Sequence, residues 1–263
     1  MKRIDRVGII IKILTDYPNK IYSLKYFCQM FGAAKSTISE DVSAARKMLA
    51  KVGLGTIETI AGAKGGIRYI PGLSDSQRKC LLDQLREKLS AGNRILGGGF
   101  LYTSDIMFDS HIIGNAATLF AEKFQRCEAD YVVTIETKGI PLALMTAHML
   151  NLPLVVVRRE SRVSEGSTVS INYFSGSTDR IQKLSLAKRA VEPGKKAIII
   201  DDFMRAGGSI KGIMDVLAEF DVAVVGTGVV IAALEPEKKI IKDYYPLLYL
   251  GAVDEYSKTI EII

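Results

Sequence analysis

Apolar positions near the start of the chain recur every three to four residues. Ile4, Val7, Ile11 and Leu14 fall on one helical face, and Tyr17-Pro18 closes the run because a residue before proline is pushed out of the α region. Ser23 supplies an N-cap for a short apolar helix, Leu24 to Phe31, which Gly32 can terminate. A third helix carries Ile38, Val42, Ala45 and Leu49 on one face, with Thr37 and Glu40 in capping-box spacing and Gly53 at its end. Thr56 to Ile60 and Ile67 to Ile70 read as strands around Ala61-Gly62-Ala63-Lys64-Gly65-Gly66, a hairpin whose glycines permit a tight turn. Three helices and a hairpin predict a winged helix-turn-helix domain over residues 1–73. The rival for this segment is a small helical oligomerisation domain.

Pro71-Gly72 marks a boundary. Ser74 to Leu89 reads as a linking helix within 74–92, with Ser74 and Gln77 in capping-box spacing and Leu81, Leu82, Leu85 and Leu89 inward. Strand-like and helical runs then alternate: strand Tyr131 to Ile135, helix Leu142 to Leu150, strand Leu154 to Val157, strand Ala197 to Ile200, helix Ser209 to Phe220 and strand Val222 to Val230. These strands are continuous in Val and Ile, the signature of a parallel sheet covered on both faces, so residues 74–263 read as an α/β domain.

The longest nearly unbroken apolar run, Val222 to Leu234, is shorter than the roughly 20 residues of a bilayer span. The start, Met-Lys-Arg-Ile-Asp-Arg, mixes charges where a signal peptide needs an apolar stretch, so a cytoplasmic protein without a membrane partner is expected. Three widely spaced cysteines, Cys28, Cys80 and Cys127, predict reduced, mostly buried thiols. With only His111 and His148 and no Cys-x-x-Cys, no metal site is expected.

The formal charge of +6 is unevenly placed. Residues 1–72 hold 12 Lys+Arg and 5 Asp+Glu, a net of +7, while the remainder holds 23 against 24. A solvated basic surface or an anionic polymer partner would both account for it. The helical pattern favours the polymer: in a helix-turn-helix the second helix of the pair enters the major groove with its N-terminal end. Lys35, Ser36, Thr37 and Ser39 would lie there, Arg46 would support them, and Lys64 and Arg68 would be wing contacts to DNA. Glu40 and Asp41 fit poorly beside a phosphate backbone.

Ligands of open parallel sheets bind beyond the carboxyl ends of the strands. In Ile198-Ile199-Ile200-Asp201-Asp202-Phe203-Met204-Arg205-Ala206-Gly207-Gly208-Ser209, a strand delivers two carboxylates and then a loop that opens a helix. The glycines let the backbone approach an anion, Ser209 adds a hydroxyl, and the helix N–H groups point at it. The carboxylates suit ribose hydroxyls or a magnesium ion, and an acidic pair after a strand is also a generic metal pattern. No Walker sequence, dinucleotide fingerprint or Gly-x-Ser-x-Gly elbow is present.

That segment resembles the signature of the phosphoribosyltransferase family: an apolar strand, two acidic residues, a short loop and Thr/Ala-Gly-Gly-Thr/Ser. The resemblance implies a type I phosphoribosyltransferase fold. It also implies that Asp201 and Asp202 bind the ribose of phosphoribosyl pyrophosphate (PRPP), with Phe203, Met204 and Arg205 in the same loop and Ala206, Gly207, Gly208 and Ser209 on the 5′-phosphate. Thr134-Ile135-Glu136-Thr137-Lys138-Gly139-Ile140-Pro141 resembles the family's pyrophosphate loop, implying that Thr137, Lys138 and Gly139 hold the pyrophosphate. Arg158 and Arg159 end the next strand and would meet the same group, unless they are a solvated surface pair. The polar stretch within 160–186 resembles the flexible loop that closes these sites. Phe203, with Phe100 and Tyr102 as neighbours, would stack a base, unless Phe203 is simply packed in the core.

A catalytic purine phosphoribosyltransferase of xanthine or adenine type with an accessory DNA-binding head is one outcome, and a sensor built on the same fold is the other. A basic winged helix has no use in a salvage enzyme. With Ser36-Thr37-Ile38-Ser39-Glu40-Asp41, Thr137-Lys138-Gly139-Ile140-Pro141-Leu142-Ala143 and Glu165 to Tyr173, the whole chain resembles the purine operon repressor family of Gram-positive bacteria. The resemblance implies a homodimer, not an enzyme, that represses purine biosynthesis and transport genes at operator DNA. It implies release by PRPP, with magnesium optional and no required cofactor. Purine nucleotides such as guanosine tetraphosphate (ppGpp) would compete with PRPP through the stacking site.

Overall fold

A computed structural model describes residues 1–62, 65–98, 100–160, 166–175 and 180–263. The N-terminal domain is α1 (Arg3–Asp16), α2 (Leu24–Phe31), α3 (Lys35–Lys51), β1 (Thr56–Ile60) and β2 (Gly66–Ile70), the last two an antiparallel hairpin. Val7, Ile10, Leu14, Phe27, Ile38, Val42, Ala45 and Leu49 close its core against Ile57, Ile67 and Tyr69. Ser23 caps α2 by accepting from the Tyr26 N–H, and Gly32 ends it in the left-handed region, as the sequence predicts.

Two expectations for this domain fail. Ile4 is 76% exposed, because the stripe facing α3 runs Arg3, Val7, Ile10, Leu14 and its first turn meets α3 through charge. Asp41 is buried there and receives Arg6 Nε at 2.6 Å and Arg3 Nε at 3.3 Å, which explains an acid on a helix meant for DNA. The Thr37–Glu40 capping box does not form either. The N-cap is Ala34, with no capping side chain, so Thr37 already lies in the first turn of α3.

The second domain runs α4 (Asp75–Leu89), β3 (Ile95–Leu96), β4 (Phe100–Leu101), α5 (Ser104–Met107), α6 (Ser110–Phe124), β5 (Tyr131–Ile135), α7 (Ile140–Leu150) and β6 (Leu154–Val157). It continues through β7 (Thr168–Ser175), β8 (Arg180–Ala187), β9 (Lys196–Met204), α8 (Gly208–Ala218), β10 (Ala223–Ala233), β11 (Tyr245–Asp254) and β12 (Thr259–Ile262). Ser74 and Gln77 form the predicted capping box on α4; Leu81, Leu85 and Leu89 are buried, while Leu82 is only half-buried.

Six strands form one sheet in the order β12-β11-β10-β9-β5-β6, parallel except for β12. Ile198 and Ile200 face the layer of α4, α6 and α7, and Ala197 and Ile199 face α8, so β9 is apolar on both sides. β9 runs four residues past its predicted end at Ile200 and carries both acids within it.

The largest departure lies in 160–186. Residues 161–165 and 176–179 are outside the described residues, but Thr168–Ser175 and Arg180–Ala187 pair antiparallel as a hairpin. Tyr173, Leu184 and Leu186 bury themselves in the α8-side core. Alternation hides this segment's apolar face, because Ser170, Asn172 and Lys183 point outward and make the composition look like a loop. The cysteines are free, but Cys80 is exposed and Cys28 and Cys127 are half-buried, contrary to the expectation of burial. Among the described residues no helix is long and apolar enough to cross a membrane.

Polar contacts join the domains. Glu122 of α6 accepts from the Leu73 N–H at 2.9 Å and pairs with Arg78 at 2.6 Å, and the Asn19 side chain donates to the Met149 carbonyl of α7 at 2.7 Å.

Candidate functional site

From β5 the chain crosses to β6 on one side, and from β9 to β10 on the other. The sheet's switch point therefore lies between β5 and β9, where loops diverge and leave a crevice. A cavity of about 680 Å³ opens there, walled by the ends of β5, β9, β10 and β11 and by the small β3–β4 flap.

Gly139 is the N-cap of α7, and no side chain caps it. A Cβ at this position would sit 2.6 Å from Asp201 Oδ1 and 2.8 Å from Thr134 Oγ1, so only glycine lets the loop lie this close to β9. Gly207 caps α8 at φ +92°, a conformation that a side chain would strain, and again no side chain occupies the cap. Two helix N-termini without a capping side chain thus flank the acidic pair, although at α7 the Ile140 N–H already donates to the Thr137 carbonyl at 3.3 Å and Pro141 has no N–H. Asp201 is buried and accepts from the Asp202 N–H at 2.9 Å. Burial, reinforced by the neighbouring Asp202 charge, holds its carboxyl well above the usual carboxylate range.

Thr137, Lys138, Arg159, Asp201, Asp202, Phe203, Arg205 and Ser209 all line the cavity, as does Phe100. Gly139, Ala206, Gly207 and Gly208 are not among the lining residues and lie in the two loops that carry Lys138, Arg205 and Ser209. The remaining assignments shift. Met204 is buried in the α8-side core, because its position on β9 turns its side chain inward. Arg158 pairs with Glu136 at 3.3 Å and lines a separate cleft of about 290 Å³ beside β8, where its backbone bridges to Ser185. Tyr102 is exposed and outside the cavity lining, with its carbonyl accepting from Arg94.

Sequence reasoning passed over three contributors. Arg94 grips both Asp105 oxygens at 2.7 Å and the Tyr102 carbonyl at 2.9 Å, holding the flap that carries Phe100. This hydrogen bonding lowers the Asp105 carboxyl below its ordinary range. Glu136 accepts from the Arg159 backbone N–H at 2.7 Å, and its carbonyl accepts from Arg159 Nε at 3.4 Å, which orients the cation. Ala233 at the end of β10, Glu235 just beyond it and Leu250 of β11 add a wall from a strand that was incompletely assigned and one that was unassigned. Only Glu136 carried a signal, by lying inside the quoted loop. The cavity thus offers the cations Lys138, Arg159 and Arg205 and the N-termini of α7 and α8 around two carboxylates. Among the described residues no group of three or more His, Cys, Asp or Glu is arranged to hold a metal.

On the N-terminal domain, Lys35, Ser36 and Ser39 are exposed and Thr37 half-exposed at the start of α3, and exposed Ser43 and Lys47 prolong the same face. Arg46 instead holds the hairpin to α3, donating to the Ile57 carbonyl at 2.6 Å and Thr59 Oγ1 at 2.8 Å. Arg68 is paired with Glu58 at 2.7 Å. Lys64 lies outside the described residues.

A carboxyl with a raised folded-state pKa binds more protons folded than unfolded. Its penalty is absent below the ordinary carboxylate range and grows as pH rises toward the raised value. Asp201→Asn should therefore stabilise the ligand-free protein at pH 7 by about 1–3 kcal/mol. The difference should vanish below about pH 3, where the carboxyl is protonated in both states. Thermal unfolding at the two pH values checks this, and equal stability at pH 7 contradicts it.

Comparison with known proteins agrees with this division. Residues 2–71 match the family described as bacterial purine repressor, N-terminal, and residues 107–255 match the phosphoribosyl transferase domain. The purine biosynthesis transcriptional repressor PurR of Bacillus subtilis (strain 168) is 40% identical over 99% of this chain and 92% of its own. The purine biosynthesis transcriptional activator PurR of Lactococcus lactis subsp. lactis (strain IL1403) is 34% identical over 100% of this chain and 97% of its own. Adenine phosphoribosyltransferase from Rhodothermus marinus DSM 4252 shares the fold, with TM-score 0.55 and 21% identity over 65% of this chain and 99% of that one. With both halves matched in order and regulators similar along its whole length, the chain belongs to the bacterial purine repressor family, transcriptional regulators of purine biosynthesis that join a winged-helix-like head to a phosphoribosyltransferase fold.

Proposed function

We propose that the chain is a repressor of purine biosynthesis and transport genes that leaves operator DNA when PRPP fills the cavity. The observation that carries this is the acidic pair Asp201–Asp202 set between the uncapped N-termini at Gly139 and Gly207, in a chain whose head alone carries the positive excess. Thr137, Lys138 and Gly139, with Arg159, hold the pyrophosphate by N–H groups and cations. Asp201 and Asp202 accept from the ribose hydroxyls. Ala206 to Ser209 cradle the 5′-phosphate at the start of α8. PRPP brings magnesium only as its own counterion, and the protein acts as a homodimer on paired operator boxes.

Phe203 and Phe100 both line the cavity, which supports a stacked purine there. Purine nucleotides, ppGpp among them, then compete with PRPP for the site and keep the DNA-binding form. The cavity serves sensing rather than transfer, because relatives that span the whole chain are named as regulators.

On the DNA side, Lys35 and the α3 N-terminus meet phosphate, and Ser36, Thr37 and Ser39 approach base edges. Binding is then steeply salt-dependent through the head.

A gel-shift titration on the promoter of the chain's own purine operon tests this. PRPP should release wild-type protein, and adding a purine base should yield no nucleotide. Asp201→Ala with Asp202→Ala should abolish release while leaving operator affinity intact. Lys35→Ala should weaken DNA binding and lower the salt slope by about 1, with PRPP affinity unchanged. Retention of DNA at saturating PRPP overturns the sensor function, and nucleotide formation revives the enzyme. For the stacking site, calorimetry should show weaker ppGpp binding in Phe203→Ala. Equal binding, or none in wild type, removes it.

A further inference from the structure

One helix touches both sites. The eleven residues of α7 span about 16 Å, from the loop at Gly139 to the contact with the N-terminal domain. At its first end, Gly139 lies so close to Asp201 and Thr134 that a Cβ would overlap both side chains, which sets the start of the helix directly against the acid. Along its length, Leu142, Ala143, Thr146, Ala147 and Leu150 are buried and no interior glycine softens it. Thr146 donates back to the Leu142 carbonyl at 2.9 Å.

At its last turn the orphan carbonyls find different partners. The Ala147 carbonyl accepts from the Leu152 N–H and that of His148 from the Asn151 N–H. The Met149 carbonyl accepts from Asn19, 130 residues away in the head. Asn19 is itself fixed, at φ +61° with its N–H donating to the Tyr69 carbonyl of β2 at 2.8 Å. The head thus completes the C-terminal cap of the helix whose N-terminus forms the anion loop.

We infer that Asn19 is the positioning residue through which the cavity and the DNA-binding head sense one another. This rests on the cavity being the effector site. In the operator-binding form the Asn19–Met149 bond holds the turn between α1 and α2, and through Tyr69 the hairpin, in its DNA-binding pose. Effector engagement at Asp201 and the 137–139 loop draws α7 away from Asn19, and the hairpin loses that pose. The bond from the Leu73 N–H, at the end of the head, to Glu122 is separate from this switch and stays in place. The structure shows the bond made, and its broken form is the second arrangement that this coupling path requires.

The test measures operator affinity by fluorescence anisotropy with and without saturating PRPP, in wild type, Asn19→Gly and Asn19→Asp. Glycine and aspartate both tolerate the left-handed turn, the first deleting the amide donor and the second replacing it with an acceptor. The factor by which PRPP weakens operator binding should fall at least about fivefold in both variants, the scale of a typical site-to-site coupling. PRPP affinity of the free protein should stay within about threefold, since Asn19 lies outside the cavity. By linkage, the operator's effect on PRPP affinity must fall by the same factor. An unchanged factor in both variants overturns the role of Asn19 while leaving PRPP-induced release standing. A wild type whose operator affinity ignores PRPP overturns the function itself, and the coupling with it.

Discussion

β5 and β9 run side by side and parallel, Val132 beside Ile198 and Val133 beside Ile199, and the cavity follows from where they stop. The chain leaves β5 toward one edge of the sheet and β9 toward the other. The loop 136–139 and the loop after Asp202 therefore face each other with no connection passing between them. Both strands are buried on both faces, so their ends are held by the core and their loops start from fixed points. A helix begins at each loop, and neither helix start is capped by a side chain.

That geometry has a consequence for stability. Placing Asp201 under Gly139 buries a carboxylate that prefers its proton, so the ligand-free molecule carries a destabilising group at neutral pH. A ligand that supplies hydroxyl donors removes the penalty, which turns a stability defect into binding free energy. The charge asymmetry complements this arrangement. The body, with 23 basic and 24 acidic residues, attracts no anion in bulk and depends on its loops, whereas the head draws a polyanion through its net charge.

Much of this was legible in the residues. Helical periodicity located α2 and the buried face of α3, the continuous Val/Ile runs identified a two-face-buried sheet, and the Asp-Asp and Gly-Gly pairs marked the switch-point loops. What stayed hidden depends on contacts between distant segments. Ile4 continues an apolar spacing but loses its place to Arg3, because Asp41 waits on α3. Thr37 and Glu40 have capping-box spacing, yet the N-cap lies three residues earlier at Ala34. The β7–β8 hairpin reads as a polar loop because only one face of each strand meets α8. Met204, Arg158 and Arg46 sit among predicted site residues, but their side chains serve the core, Glu136 and the hairpin. Arg94 gave no local sign, since its partners are two backbone carbonyls and an acid eleven residues on.

The central claim is that effector and operator prefer different forms of one molecule. Isothermal calorimetry of PRPP into the free protein and into its operator complex tests that most directly, because coupling between binding sites is reciprocal. The account predicts that PRPP binds the operator complex more weakly, by the same factor by which PRPP weakens operator binding. Equal PRPP affinity for the free and operator-bound protein would contradict it.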